Sequence, residues 1–557
     1  MARTTISSIK PSASATTQHL PSMHHPSTQS FYTFTAMHLS IHQVILLVSH
    51  LGLISSVKAT PSKDVTKCLK FHKVPFVISN SPNWTSYTTP HNLRLVYEPA
   101  VITIPETSQD VSTSVKCAVE ARLKVQPKGG GHSYASYSSG GRDGSLIVDM
   151  ENFDLVEVDR STFIAKIGAG QRLGNVATEL YAQGQRAIPH GVCPGVGIAG
   201  HALHGGWGFA ARYWGYTLDT IVGLDVVLAN GTQVYTSSSS YPDLFWAMRG
   251  AGESFGIATY LYVQTQPAPP SVVLFTSNLS ASWPDIETVT SGFENTQNLI
   301  LTSPLITPNM TFGFNTDTAG TLSISGSCIG CNAHTFNTTV LPALLSGFKP
   351  NTPIIQTVSW LESLAAVAGQ LGLPLQQPLG HEYSVRSTFY VKSLMTKNSH
   401  PLTPAAIRAF WSYILAHPGE PIRSVINLYG GPNSAVNIPS SNSTAFAHRD
   451  AMWVFENFGL SIASDEMLPF DPNTIALVEG LNAAVENAQP DGDFSAYLNY
   501  IDPELDATTA ARLYYGPETY NRLLELKREF DPKFVFWNPQ AVGNSLALDG
   551  DGEENFN

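Results

Sequence analysis

Charge is scarce in this chain. Only 13% of its 557 residues are Asp, Glu, Lys or Arg, and 31 basic side chains stand against 43 acidic ones, a formal net charge of −12. Such a chain lacks the basic stripe that grips a nucleic-acid backbone or an anionic bilayer, so neither is expected as a partner. Its surface must draw solubility from Ser, Thr and Asn. Cysteine is scarce too, with five in all, an odd number. Cys68 with Cys117, and Cys328 with Cys331, can form two disulfides, which fits an oxidising compartment. No second Cys pair exists to complete a zinc site with Cys328 and Cys331. Cys193 is left over and needs another explanation. Long apolar runs are also missing. The best candidate, Val44–Val48 followed by Leu51–Ile54, is interrupted by His50 and is short of the about 20 residues that cross a bilayer.

That short run fits a different purpose. Residues 1–36 are low-complexity Ser/Thr/His/Pro sequence without an acidic side chain, and Val57-Lys58-Ala59 is a small-x-small cleavage pattern. Residues 1–59 therefore read as a leader and secretory signal peptide, with Met37 as a second candidate start. The mature protein is expected outside the cell, with no stable membrane association. Glycosylation sequons at Asn83, Asn278, Asn309, Asn337 and Asn442 agree with that route. Asn230-Gly231-Thr232 also fits, but lies between two apolar runs and reads as a hairpin turn.

A hydrophobic content of 43% supports a large core and more than one domain. Val111, Val115, Ala118 and Val119 recur at helical spacing. Lys124–Pro127, Leu146–Val148, Leu155–Val158 and Phe163–Ile167 read as strands, and Leu173–Tyr181 as a helix closed by Gly184. Val226–Leu228 and Gln233–Tyr235 flank the Asn-Gly turn. The Pro-rich Gln266–Pro270 marks a boundary. Beyond it strand-like runs such as Thr321–Ile324 alternate with helical ones such as Pro404–Leu415, and glycine motifs return after Asp493.

The chemistry gathers on glycine. His132 follows Gly129-Gly130-Gly131 and precedes Ser133-Tyr134, and Cys193 sits in Gly191-Val192-Cys193-Pro194-Gly195-Val196-Gly197. Both nucleophiles stand on backbone with little side-chain cover, which a flat ligand can approach closely. Gly205-Gly206-Trp207-Gly208 and Gly250-Ala251-Gly252 offer two more such loops. Gly-rich turns can present N–H groups to a pyrophosphate. Two blander readings compete. Gly195-Val196-Gly197-Ile198-Ala199-Gly200 matches a nicotinamide fingerprint, with Asp219 downstream and Gly168-Ala169-Gly170 as a partial copy. That fingerprint must follow a strand, and Pro189, Cys193 and Pro194 stand where the strand should be. His190, Cys193, His201 and His204 could in principle bind zinc, yet their spacing matches neither a finger nor a helical His-Glu-x-x-His. No metal is expected.

From about residue 64 to 542 the chain resembles the berberine-bridge-enzyme-like branch of the FAD-linked oxidases, through residues 129–134, 191–197, 200–208 and Asn538-Pro539-Gln540. The resemblance implies an α+β fold: a two-part FAD-binding domain, residues 60–270 and 491–557, around an α+β substrate domain, 271–490, with an antiparallel sheet over the flavin. It implies a single FAD bonded by His132 at the 8α-methyl carbon and by Cys193 at carbon 6. Gly129, Gly130, Gly131, Ser133, Gly197, Gly200, His204, Gly205, Gly206, Gly256, Ile257, Asn538 and Gln540 are the further candidates for holding the cofactor.

The same resemblance draws attention to Tyr497-Leu498-Asn499-Tyr500. In the family's carbohydrate oxidases the second Tyr of such a pair is the general base. A strand would point the two rings to opposite faces, so a bulge or turn is needed for both to meet the flavin. A phenol with a pKa near 10 needs help to act as a base. Those oxidases supply a carboxylate just before a Gly-Gly pair, whereas Asn427 stands there in this chain. Glu456 is a candidate for the missing carboxylate, and Tyr134, Tyr497 and Glu456 for substrate contact. The expected reaction is oxidation of an alcohol or hemiacetal, such as an oligosaccharide reducing end to its lactone, with dioxygen reduced to hydrogen peroxide. The alternative is an FAD-dependent oxidoreductase of secondary metabolism, which Asn427 favours. A glycan-binding protein without turnover is a third reading, opposed by the presence of His132, Cys193 and Tyr500 together.

Overall fold

In a computed structural model, three sheets account for most of the strands. The structure describes residues 64–283, 285–381, 386–461 and 470–544, so the leader and signal peptide expected at residues 1–59 lie outside the described residues. The first sheet runs Phe76–Val77, Val101–Thr103, Leu146–Asp149, Val125–Lys128, and its last three strands are parallel. A parallel neighbour requires a crossover, and helix Ser108–Glu120 supplies it. Thr107 and Asp110 cap its start reciprocally, and Val111, Val115 and Ala118 are buried at the expected spacing. Cys117 on this helix is bonded to Cys68 on Val65–His72.

The second sheet is antiparallel, in the order Val156–Val158, Ile164–Gly168, Ile257–Gln264, Ile221–Val227, Gln233–Ser237. Its last two strands form the expected hairpin, with Gly231 at φ 77°. The third sheet has seven antiparallel strands, Ile354–Val358, Val272–Asn278, Leu322–Ile329, Met310–Asp317, Ile422–Leu428, Ala451–Leu460 and Phe389–Lys397 in spatial order. Cys328 and Cys331 are bonded at the end of one of them. Among the described residues no helix is long and apolar enough to cross a membrane.

Side-chain alternation divides the third sheet between two apolar cores. Ile426, Trp453 and Phe455 join Phe293, Trp411 and Leu481 of helices Ile286–Thr302, Pro404–Ala416 and Pro472–Ala488. Met395 and Val454 point the other way and join the core of the first two sheets. The chain returns to that core at its end, where helix Ala507–Phe530 contributes Tyr514 and Leu523, and Phe536 pairs with Val125.

The fingerprint-like glycines serve packing. An added Cβ at Gly168 would lie 2.2 Å from the Phe153 carbonyl oxygen, and one at Gly170 would lie 2.0 Å from that of Met150. The run Gly195–Gly200 follows a loop and opens helix Ile198–Leu203, only six residues long. Asp219 faces neither loop but makes a two-pronged pair with Arg449 at 2.8 and 2.9 Å.

The Cys68–Cys117 bond closes a separation of 49 residues. Replacing both cysteines by serine is expected to lower unfolding free energy by about 2–4 kcal/mol. The same change at Cys328 and Cys331, only 3 apart in sequence, should cost less. Denaturant unfolding of the two variants beside the wild type checks the order.

Candidate active site

A cleft runs between the first sheet's loops and the C-terminal return. Its walls include Gly129, Gly130, Gly131, His132, Ser133 and Tyr134 from the loop after Val125–Lys128. Gly197, Gly200 and His204 line it from the short helix and its flanks, and Gly256, Asn499, Tyr500 and Asn538 also stand on its wall.

Glycine makes this cradle in two ways. Gly130 and Gly197 are needed because their loops touch: a Cβ on either would fall 2.2 Å from the other's amide nitrogen. Gly200 meets nothing within 4 Å of an added Cβ, so its backbone is bare toward the cleft. Gly131 adopts φ 69°, a region disfavoured for other residues. A long, glycine-walled cleft with backbone bare toward it fits a flat dinucleotide cofactor.

His132 stands half-buried in the wall, its ring stacked 4.0 Å from that of His91. Burial, with the charges of His91 and Arg172, holds its pKa well below the ordinary value, leaving a neutral, nucleophilic imidazole. Cys193 is the one unpaired cysteine and is partly exposed. Burial pushes its thiol up, while the amides of Gly195 and Val196 and the charge of Arg172 pull it back. A Cβ on Gly195 would approach His132 Nε2 to 3.2 Å, so the loops carrying the two nucleophiles are in contact. His201 Nε2 accepts the Gly191 N–H at 2.9 Å, and His204 bonds Glu253. Burial lowers the pKa of His204, but the Glu253 charge and hydrogen bond outweigh it and raise the net value.

In the C-terminal return the chain makes the turn that Tyr497 and Tyr500 require. Leu498–Tyr500 is a 3-10 turn, which brings residues three apart onto one side. The two rings meet edge to face at 5.0 Å. Their surroundings differ. Tyr500 lines the cleft, and its hydroxyl accepts from Tyr429 at 3.4 Å. Tyr497 is 2% exposed, and its oxygen accepts from the amides of Gly206 and Trp207 at 2.8 and 3.1 Å. The polar end of Tyr497 is thus engaged by that loop, whereas Tyr500 faces the cleft. Gly205 and Gly206 lie behind the wall, where Cβ atoms would strike Tyr497 and Thr217. Ile257 is buried in the first core, and Gln540 Nε2 donates to the Asp502 and Leu505 carbonyls at 2.7 and 2.9 Å. None of these four lies on the cleft wall.

The third sheet supplies the carboxylate. Glu456 Oε1 accepts from the Tyr134 hydroxyl at 2.9 Å, and Glu456 is also hydrogen-bonded to Tyr500. Burial pushes its pKa up to about 7, against the lowering effect of those bonds and of Arg423. The same burial, reinforced by the charge of Glu456, keeps the Tyr134 and Tyr500 phenols well above their ordinary value. Asn427 pairs with Val454 in the register and Val425 with Glu456, so Asn427 and Glu456 share one sheet face at a diagonal. Tyr429 and Glu253 were not singled out from the sequence. Alternation from Asn427 would have pointed to Tyr429. Nothing local marks Glu253.

A family model described as FAD binding domain matches residues 99–237, and one described as berberine and berberine like matches 496–543. The chain is 36% identical to a xylooligosaccharide oxidase of Thermothelomyces thermophilus, over 90% of this chain and 99% of that protein. It is 33% identical to the FAD-linked oxidoreductase dpmaF of Metarhizium anisopliae, over 90% of this chain and 96% of that protein. Its structure is similar to that of a glucooligosaccharide oxidase from Acremonium strictum with a 6-S-cysteinyl, 8α-N1-histidyl FAD. The TM-score is 0.79, with 30% identity covering 86% of this chain and 99% of that one.

The contrast between the two tyrosines is testable. Tyr497→Phe strands the Gly206 and Trp207 amides and should cost about 1–3 kcal/mol of stability. Tyr500→Phe removes a long 3.4 Å bond from Tyr429 and one of the two phenol bonds to Glu456, and on the cleft wall it should cost less. Thermal unfolding of the two variants decides it.

Proposed function

This chain belongs to the berberine-bridge-enzyme-like FAD-linked oxidases, and from that premise we propose that it is a secreted oxidase acting on the reducing end of an oligosaccharide. His132 and Cys193 hold FAD by two covalent bonds. The described residues within 60–270 and 491–557 form the cofactor layer, and those within 271–490 carry the substrate sheet. When bound, FAD accepts the hydride and passes its electrons to dioxygen, giving hydrogen peroxide.

The observation that carries this reading is the Tyr134–Glu456–Tyr500–Tyr429 network beside the cleft. Tyr500 takes the anomeric hydroxyl proton as the neighbouring C–H bond breaks. Its own phenol is too weak an acid to start as phenolate near neutral pH, so its proton moves on to Glu456. Tyr429 donates to the Tyr500 oxygen and steadies charge that develops there. Tyr134 fixes the Glu456 carboxylate and offers a ring to the sugar. Glu456 thus does the work expected of an acid at position 427, and Asn427 orients without exchanging a proton. A second reading, a specialised metabolite as substrate, is favoured by Asn427.

Two measurements test the function. Acid-denatured protein should stay yellow, and anaerobic addition of xylo-, cello-, malto- or chito-oligosaccharides should bleach the flavin. Yellow protein that no sugar bleaches would sink the carbohydrate reading and leave the second one standing.

The proton path sets a pH dependence. Glu456 must be ionised to accept, and burial has pushed it up to about 7. kcat/KM should therefore climb as pH rises through about 7 and level off above. Glu456→Gln should lower kcat by about 10²–10⁴-fold and abolish that limb. Asn427→Asp sets a second carboxylate beside Glu456, and mutual repulsion should move the limb to higher pH.

A further inference from the structure

Arg172 joins three loops that are far apart in the sequence. It immediately precedes helix Leu173–Ala182 and is 1% exposed. Nη1 donates to the carbonyl oxygens of Gly130 at 3.0 Å and Gly195 at 2.5 Å, and Nη2 donates to that of Gly380 at 2.6 Å. Gly130 stands two residues before His132, and Gly195 two after Cys193. Backbone bonds tighten the same joint. The amides of Leu173 and Gly174 donate to Val196 and Pro194 at 2.9 and 3.0 Å, and that of Ile198 to Gln171 at 2.9 Å. Gly174 has no space for a side chain, because a Cβ there would lie 1.8 Å from the Leu375 carbonyl oxygen.

We propose that Arg172 is the positioning residue for double flavin attachment: its guanidinium sets the His132 loop against the Cys193 loop so that both nucleophiles reach one flavin ring. The proposal rests on the bicovalent reading above. Only Arg offers a flat fork of N–H donors that can hold several carbonyls in fixed directions, whereas Lys presents one nitrogen on a flexible stem. Its charge acts in the same sense. It disfavours protonation of His132 and favours the Cys193 thiolate, the reactive form of each. In each attachment the protein group loses one proton and the flavin carbon loses one hydrogen as the new bond forms. Dioxygen accepts the two electrons and two protons and leaves as hydrogen peroxide.

The test uses the full chain with Arg172→Lys and Arg172→Gln beside the wild type. Each protein is denatured, its free thiols are alkylated, and the peptides bearing His132 and Cys193 are weighed. A misplacement of about 1 Å should slow bond formation at Cys193 by about 100-fold. The expected result is flavin on the His132 peptide, an alkylated Cys193 peptide, and the absorption spectrum of a singly linked flavin. Arg172→Ala produced with guanidinium ion, which refills the vacated space, should regain the second bond. Folded Lys and Gln variants carrying both bonds at the wild-type rate would overturn the proposal. So would an Ala variant whose melting recovers with guanidinium while Cys193 stays free. Wild-type protein with no flavin on either peptide would instead overturn the parent reading, and this proposal with it.

Discussion

The contact between Gly130 and Gly197 is the constraint on which the cleft depends. A Cβ on either residue would sit 2.2 Å from the other's nitrogen, closer than any real side chain allows. Two loops can therefore run backbone against backbone, one leaving strand Val125–Lys128 and the other entering helix Ile198–Leu203. Gly129 extends the arrangement, since a Cβ there would lie 2.8 Å from the Ala169 carbonyl oxygen. Three chain segments close on one another, and the wall they leave is main chain. A substitution at this joint would open it by the width of a methyl group and shift both nucleophile-bearing loops.

The second constraint is electrostatic. The part of the cleft around Tyr134 and Tyr500 is crowded with phenols, and burial, reinforced by the Glu456 charge and by neighbouring phenols, keeps each of them protonated. Such a cluster can pass a proton only if something in it can accept one. Glu456 is that group, because it is hydrogen-bonded to two of the phenols and its pKa has risen to about 7. A carboxylate with an ordinary pKa would be a weaker acceptor at the same position. One strand over, Asn427 occupies the same sheet face. An acid there and an acid at 456 would repel each other across a single diagonal, so the exchange of one for the other is physically coherent.

Much of the fold was legible because it is local. Apolar spacing marks helix Ser108–Glu120, the run Pro404–Leu415 reads as the helix found at Pro404–Ala416, and Asn-Gly marks the hairpin. The need for a turn between Tyr497 and Tyr500 followed from the period of a strand, and the 3-10 turn meets it. What was not legible depends on contacts between distant segments. No pattern around Gly205 and Gly206 shows that they receive Tyr497, some 290 residues on. Nor does any local pattern show that Asp219, downstream of the fingerprint-like glycines, is committed to Arg449. The sequence marks a glycine but not its use, and only the neighbouring backbone separates Gly130, which packs, from Gly200, which faces open space.

That distinction bears on how such a site can change. Every group assigned to cofactor attachment belongs to the first two sheets and their loops, while Glu456 and Asn427 belong to the third. The layers meet through side chains such as Met395 and Val454, which are fixed by packing and carry no chemistry. If the flavin is held by bonds from one layer, its retention does not require the other layer to close over it. The third sheet can then exchange an acid for an amide on one strand and recruit an acid from the next. The cofactor's position would be unaffected, because the register that orients both strands is set by the core on the far side of the sheet.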